Sequence, residues 1–271
     1  MLYERIDLPT SGSETVAMEA YCPEIGDYNP PEMRRAGIIV CGGGGYSHVS
    51  QRESAPVALR FAAMGFNTFV LHYRVAPYRF PAPQQDLAAA VAYVRTNADR
   101  FRGDPDKLAV LGFSAGGHLA GCLGTMWQRE ELWAPLGLKA ENVRPNAQVL
   151  CYPVITAGEY AHRGSFEMLT GSTDVAEHQA YSLEKLVTAD TPPAFLWSTW
   201  TDGGVPCMNT LLMAEALYRA GVNAEVHIFP YGHHGLSLAN DVTWGGNPDK
   251  REDDCAVWPE QAAKFLHRVL D

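Results

Sequence analysis

The chain has 271 residues, 46% of them hydrophobic and 19% charged, which suits one large α/β domain spanning 1–271 with a sizeable core. Its formal net charge of −10 argues against nucleic acid and anionic membranes as partners, because nothing offsets the phosphate repulsion. No apolar run reaches the length of a membrane span, and Met1-Leu2-Tyr3-Glu4-Arg5 lacks the basic and apolar regions of a signal peptide. Six scattered cysteines show neither CxxC nor zinc spacing, so buried reduced thiols (Cys41, Cys122 and Cys151 lie in apolar segments) and a cytoplasmic location are the expectation.

Along the chain, Met1–Tyr21 reads as an antiparallel edge and Pro23–Arg34, with three prolines, as a loop. Ala36–Cys41 is a buried strand followed by four glycines. Ser54–Met64 is a helix that stops at Gly65, and Asn67–Tyr73 is a β-branched and aromatic strand. Gln84–Asn97 is a helix with Leu87, Val91 and Val94 on its buried face. Lys107–Leu111 is a strand and Ala115–Met126 the helix after it. Strands at Ala147–Tyr152, Ala194–Trp200 and Glu225–Phe229, and helices at Met208–Ala220 and Pro259–Leu270, complete the pattern. Such alternation specifies an α/β fold, a mostly parallel central sheet with helices on both faces. Ligands in such folds bind beyond the C-terminal strand ends. Residues 158–190 contain no clear strand and read as a small cap insertion.

The chemistry concentrates in Gly112-Phe113-Ser114-Ala115-Gly116, a G-x-S-x-G pattern between a strand and a helix. Flanking glycines allow a sharp turn that lifts the Ser114 hydroxyl clear of the sheet. A serine needs a base, and the base needs a carboxylate to fix its tautomer. Asp202, on the loop after Ala194–Trp200, and His234, just past Glu225–Phe229, supply both in the order Ser, Asp, His. His233 competes with His234 for the base, but His-Gly is where this loop must turn. His118, one helical turn beyond Ser114, points into the core and reads as structural.

Backbone donors complete the set. The N–H of Ala115 and those of Gly44 and Gly45 are the expected oxyanion hole. The glycine run lacks the Gly-Lys-Ser/Thr of a phosphate loop, and it does not open a helix as a dinucleotide motif would. Tyr46, His48 and Trp200 are candidate substrate-binding residues of the pocket wall.

Gly43-Gly44-Gly45-Tyr46-Ser47-His48-Val49-Ser50 with Arg52-Glu53, then Gly112–Gly117, Thr191–Trp197 and His234-Gly235-Leu236-Ser237-Leu238-Ala239 together resemble the α/β-hydrolase esterases related to carbohydrate acetyl esterases, the acetylxylan-esterase-like "sugar hydrolases". The resemblance covers about residues 36–270. It implies the α/β-hydrolase fold, a Ser114–Asp202–His234 triad and the oxyanion positions Gly44, Gly45 and Ala115. It implies a serine carboxylesterase that removes short acyl groups, acetyl above all, from carbohydrates such as xylo-oligosaccharides, with no cofactor and no metal. Two positions depart from the pattern. Gly42 stands where relatives carry Pro or His, and Ser198-Thr199-Trp200-Thr201-Asp202 replaces a His-Thr-x-Asp-Asp segment, exchanging an acidic residue for tryptophan. Two rival readings stay open: a single-domain peptidase or amidase, including an arylformamidase-like enzyme, and a catalytically silent binding protein on the same fold. Oligomeric state is not encoded in any of these features.

Overall fold

Strands and helices alternate to build an eight-stranded sheet in the computed structural model, which describes residues 1–244 and 254–271. β1 (Leu2–Pro9) and β2 (Thr15–Cys22) pair antiparallel at one edge, the arrangement expected for Met1–Tyr21. β3 (Arg35–Cys41), β4 (Asn67–Leu71), β5 (Gly103–Phe113), β6 (Ala147–Cys151), β7 (Ala194–Thr199) and β8 (Ala224–Phe229) follow. The spatial order is β1-β2-β4-β3-β5-β6-β7-β8. β2 meets β4 antiparallel, and every pairing from β4 to β8 is parallel. This is the α/β-hydrolase fold. The order reverses around β3, the first parallel strand, so the loops after β3 and β5 open onto one crevice.

The helices are α1 (Ala55–Ala63), α2 (Ala82–Thr96), α3 (Ala115–Met126), α4 (Ala140–Val143), α5 (Arg163–Thr170), α6 (Val175–His178), α7 (Met208–Arg219), α8 (Asp241–Trp244) and α9 (Trp258–Leu270). They cover both faces, which leaves β4, β6 and β7 buried along their whole length. That is why these strands read as unbroken apolar runs rather than as alternating patterns. On one face Leu87 and Val91 of α2, Leu119 and Leu123 of α3, and Met213 and Leu217 of α7 form a single cluster. On the other, Val57 and Phe61 of α1 meet Trp258, Phe265 and Leu266 of α9. All six cysteines are buried free thiols.

Most boundaries shift by a residue or two from the sequence reading, and two of the shifts have a physical reason. α2 starts at Ala82 rather than Gln84, because Pro83 falls in the first turn, where no helical partner for its missing N–H is needed. β5 starts at Gly103, where Arg35 pairs across an irregularity that the exposed, charged 104–107 stretch hides from any hydrophobic pattern. The 158–190 segment carries no strand; α5, α6 and short 3-10 turns fill it. Among the described residues no helix is long and apolar enough to cross a membrane.

Candidate active site

Ser114 sits between the end of β5 and the start of α3 with φ 52° and ψ −119°, a conformation L-residues rarely hold. The neighbouring glycines make it affordable. A Cβ on Gly112 would lie 2.0 Å from the Gly116 carbonyl oxygen, and one on Gly116 would lie 2.3 Å from that of Cys41. The elbow is tied down by the Ser114 N–H, which donates to the Cys151 carbonyl at 3.0 Å.

Beyond the C-terminal ends of β7 and β8, two loops deliver the partners. Asp202 is 6% exposed. Its Oδ1 accepts the Gly204 and Val205 amides at 2.8 and 2.9 Å, which fixes the carboxylate plane. Its Oδ2 accepts from His234 Nδ1 at 2.7 Å. A carboxylate can only accept here, so the His234 proton rests on Nδ1 and Nε2 is left basic. Ser114 Oγ donates to that Nε2 at 2.8 Å. The histidine loop is shaped by Gly232 (φ 141°) and Gly235 (φ 82°). Gly204 packs so close that a Cβ there would lie 2.9 Å from the His234 Cβ. The competing His233 turns away, its ring edge-on to Trp244 at 4.9 Å and its Nδ1 2.8 Å from the His234 carbonyl.

Gly44, Gly45, His48, Arg52, Ser114, His162, His234 and Gly235 line one open cleft of about 220 Å³. Gly44 has φ 124°, and a Cβ there would meet the His48 carbonyl oxygen at 2.2 Å, so only glycine fits. Among the described residues no hydrogen bond occupies the Gly44 or Gly45 amide. Ala115 opens α3, where the first amides have no helical partner. Three unoccupied donors therefore border the serine.

The three residues expected on the pocket wall part company. His48 lines the cleft, with Nδ1 3.0 Å from Ser47 Oγ. Tyr46 does not reach it: the residue is 1% exposed and its hydroxyl bonds His118 Nδ1 at 2.8 Å. His118 Nε2 donates to the Tyr181 carbonyl at 2.8 Å, so Nδ1 must accept and the Tyr46 O–H is consumed. Burial pulls the His118 pKa down to about 4, which keeps the ring neutral. Trp200 does not reach the cleft either. It is 67% exposed and lines a separate depression with Thr201, Ile228, Pro230 and Tyr231, because its strand-end position turns the ring outward.

Two cleft features escaped the sequence reading. His162 enters from the 158–190 segment, where no motif announces it. Glu53, buried at 3% exposure, takes the Gly43 amide at 2.7 Å and the Tyr152 hydroxyl at 2.6 Å. The Arg52-Glu53 pair is part of the resemblance, yet its spacing carries no chemical signature.

A hydroxyl bonded to an imidazole that a carboxylate orients, beside unoccupied backbone donors, is equipped for acyl transfer. The family model BD-FAE matches residues 27–217. The chain belongs to the BD-FAE family of α/β-hydrolases. It is 36% identical to endo-1,4-beta-xylanase B of Butyrivibrio fibrisolvens over 79% of its own length and 34% of that protein's. It is 29% identical to the acetylxylan esterase of Xylanibacter ruminicola over 94% of its length and 50% of that protein's. The chain thus spans a third to a half of these curated relatives. A solved structure, the acetyl ester-xyloside bifunctional hydrolase of Caldicellulosiruptor lactoaceticus, superposes with a TM-score of 0.79 at 38% identity, covering 96% of this chain and 90% of that one. Other relatives are named esterases and carboxylic ester hydrolases.

Proposed function

We propose that the protein is a serine carboxylesterase that hydrolyses short acyl esters, acetyl above all, on carbohydrates such as xylo-oligosaccharides. The observation that carries the reading is the unbroken chain from Ser114 Oγ through His234, at 2.8 Å, to Asp202, at 2.7 Å. Ser114 attacks the ester carbonyl as His234 takes its proton. The Gly44, Gly45 and Ala115 amides hold the oxyanion. His234 then protonates the leaving alkoxide, and water releases the acid by the same route. The small open cleft suits a compact acyl group with a bulky alcohol projecting outward. The names of the xylan-related relatives support the sugar.

The test is acetate release from acetylated xylo-oligosaccharides, beside p-nitrophenyl acetate, butyrate and a matched anilide, for wild type and Ser114→Ala. Release from the sugar that vanishes in the variant is expected. Turnover of the chromogenic esters alone would remove the sugar assignment, and preference for the anilide would make the enzyme an amidase.

A further inference from the structure

His162 is the N-cap of α5, and its hydrogen bonds favour one tautomer of the ring. Its Nδ1 accepts the Ser165 backbone amide at 3.3 Å and lies 2.9 Å from the Ser165 hydroxyl. The Ser165 amide, which it shares with the His162 carbonyl at 3.1 Å, can only donate, and this favours Nδ1 as an acceptor and the neutral ring with its proton on Nε2. Burial first, and the nearby His234 second, lower the His162 pKa, so the ring stays neutral where an esterase works. The ring is also fixed in place. Arg163 ties the helix start to the Ala157 and Gly158 carbonyls at 2.7 and 2.8 Å. Phe166, 1% exposed, packs edge-on against His118 and stacks on His178. Ser165 reaches the glycine loop: a Cβ on Gly45 would lie 3.8 Å from its Oγ.

His162 lines the same cleft as Ser114 and His234, and no described residue accepts its Nε2–H. His162 therefore adds an oriented, neutral ring donor to the backbone amides, in a cleft that the Ser50 hydroxyl and the Arg52 guanidinium also line. The backbone amides take the ester carbonyl. An acetyl group has no other acceptor, so the oxygen that meets His162 belongs to the alcohol.

Resting on the esterase reading above, we propose that His162 is a specificity-determining residue whose Nε2–H donates to an oxygen near the ester on the alcohol side, such as a neighbouring sugar hydroxyl. Its substrates are acyl esters of polyols rather than of plain alkanols.

The experiment compares 2-hydroxyethyl acetate with propyl acetate, which differ by one hydroxyl in place of a methyl, for wild type and His162→Asn. Asparagine is a good N-cap, so it can keep the Ser165 bond and α5 while being too short to reach the substrate. Wild type should favour the hydroxylated ester in kcat/KM. The variant should shrink that preference about three- to ten-fold, the effect of one neutral hydrogen bond. An equal preference in both proteins, including an equal loss on both esters, overturns the proposal. An acetylated methyl xyloside is assayed alongside. If it is not turned over while the hydroxyl preference remains and depends on His162, the carbohydrate reading fails and His162 stands.

Discussion

Glu53 Oε2 lies 2.7 Å from the amide of Gly43, the residue immediately before the two glycines proposed for the oxyanion hole. The carboxylate holds the back of the glycine loop while the Gly44 and Gly45 amides stay open. Its other oxygen accepts the Tyr152 hydroxyl, which in turn accepts the Ser237 amide at 2.8 Å. Ser237 lies in the segment that follows His234, and the Tyr152 ring stands edge-on to the His234 ring at 5.2 Å. One buried chain thus links the glycine loop to the histidine loop.

Glu53→Gln breaks that chain, because an amide has one acceptor oxygen for two donors. Leaving a buried partner unpaired costs about 1–3 kcal/mol. Thermal unfolding should fall accordingly. Activity should fall in kcat more than in KM, since the transition-state oxyanion feels the loop more than bound substrate does. Steady-state kinetics beside a melting curve check this. A rise in KM alone would mean the carboxylate does not position the loop.

Asp202→Asn should keep the fold but reverse the tautomer of His234. The new amide can still accept the Gly204 and Val205 amides while its N–H₂ faces Nδ1. The imidazole proton would then move to Nε2, where it cannot take the Ser114 proton. A fall in kcat on the order of 10³–10⁴-fold is expected, the cost of a triad with the wrong tautomer. A pre-steady-state burst with p-nitrophenyl acetate, compared in both proteins, separates slow acylation from slow deacylation.

Legibility in the sequence follows from how tightly chemistry fixes residue type. The Ser114 elbow needs glycines where a Cβ would strike backbone, so it leaves a pattern that spacing can find. Asp202 and His234 follow because the sheet topology puts acid and base at the ends of named strands. His162 leaves no trace, since an N-cap histidine on an eight-residue helix in an insertion follows no periodicity. Tyr46 and Trp200 mislead for a different reason. Both sit beside functional loops in sequence, but a side chain's direction is decided by its neighbours. The buried His118 captures the Tyr46 hydroxyl, and the Trp200 ring is left facing solvent.

Trp200→Ala accordingly should leave kcat/KM for acetyl esters within about two-fold, the usual range for a surface change away from a site. A ten-fold loss on the sugar ester would show that a long substrate extends from the cleft as far as the depression beside Tyr231.

His118 should make stability depend on pH. Its pKa moves from 6.5 to about 4 in the folded state. Between those values the unfolded chain binds a proton that the native ring refuses, so stability rises with pH across that window. The contribution is complete above about pH 6.5, is lost as pH falls toward 4, and changes little below that. The integrated loss is about 3 kcal/mol, with about 2 kcal/mol already gone at pH 5. His118→Gln can keep both bonds, donating to the Tyr181 carbonyl and accepting from Tyr46, yet it does not titrate. Urea unfolding at pH 7 and pH 5 should therefore show a smaller drop for the variant than for wild type. Parallel drops would mean that the acid sensitivity originates elsewhere, in carboxylates rather than in this buried ring.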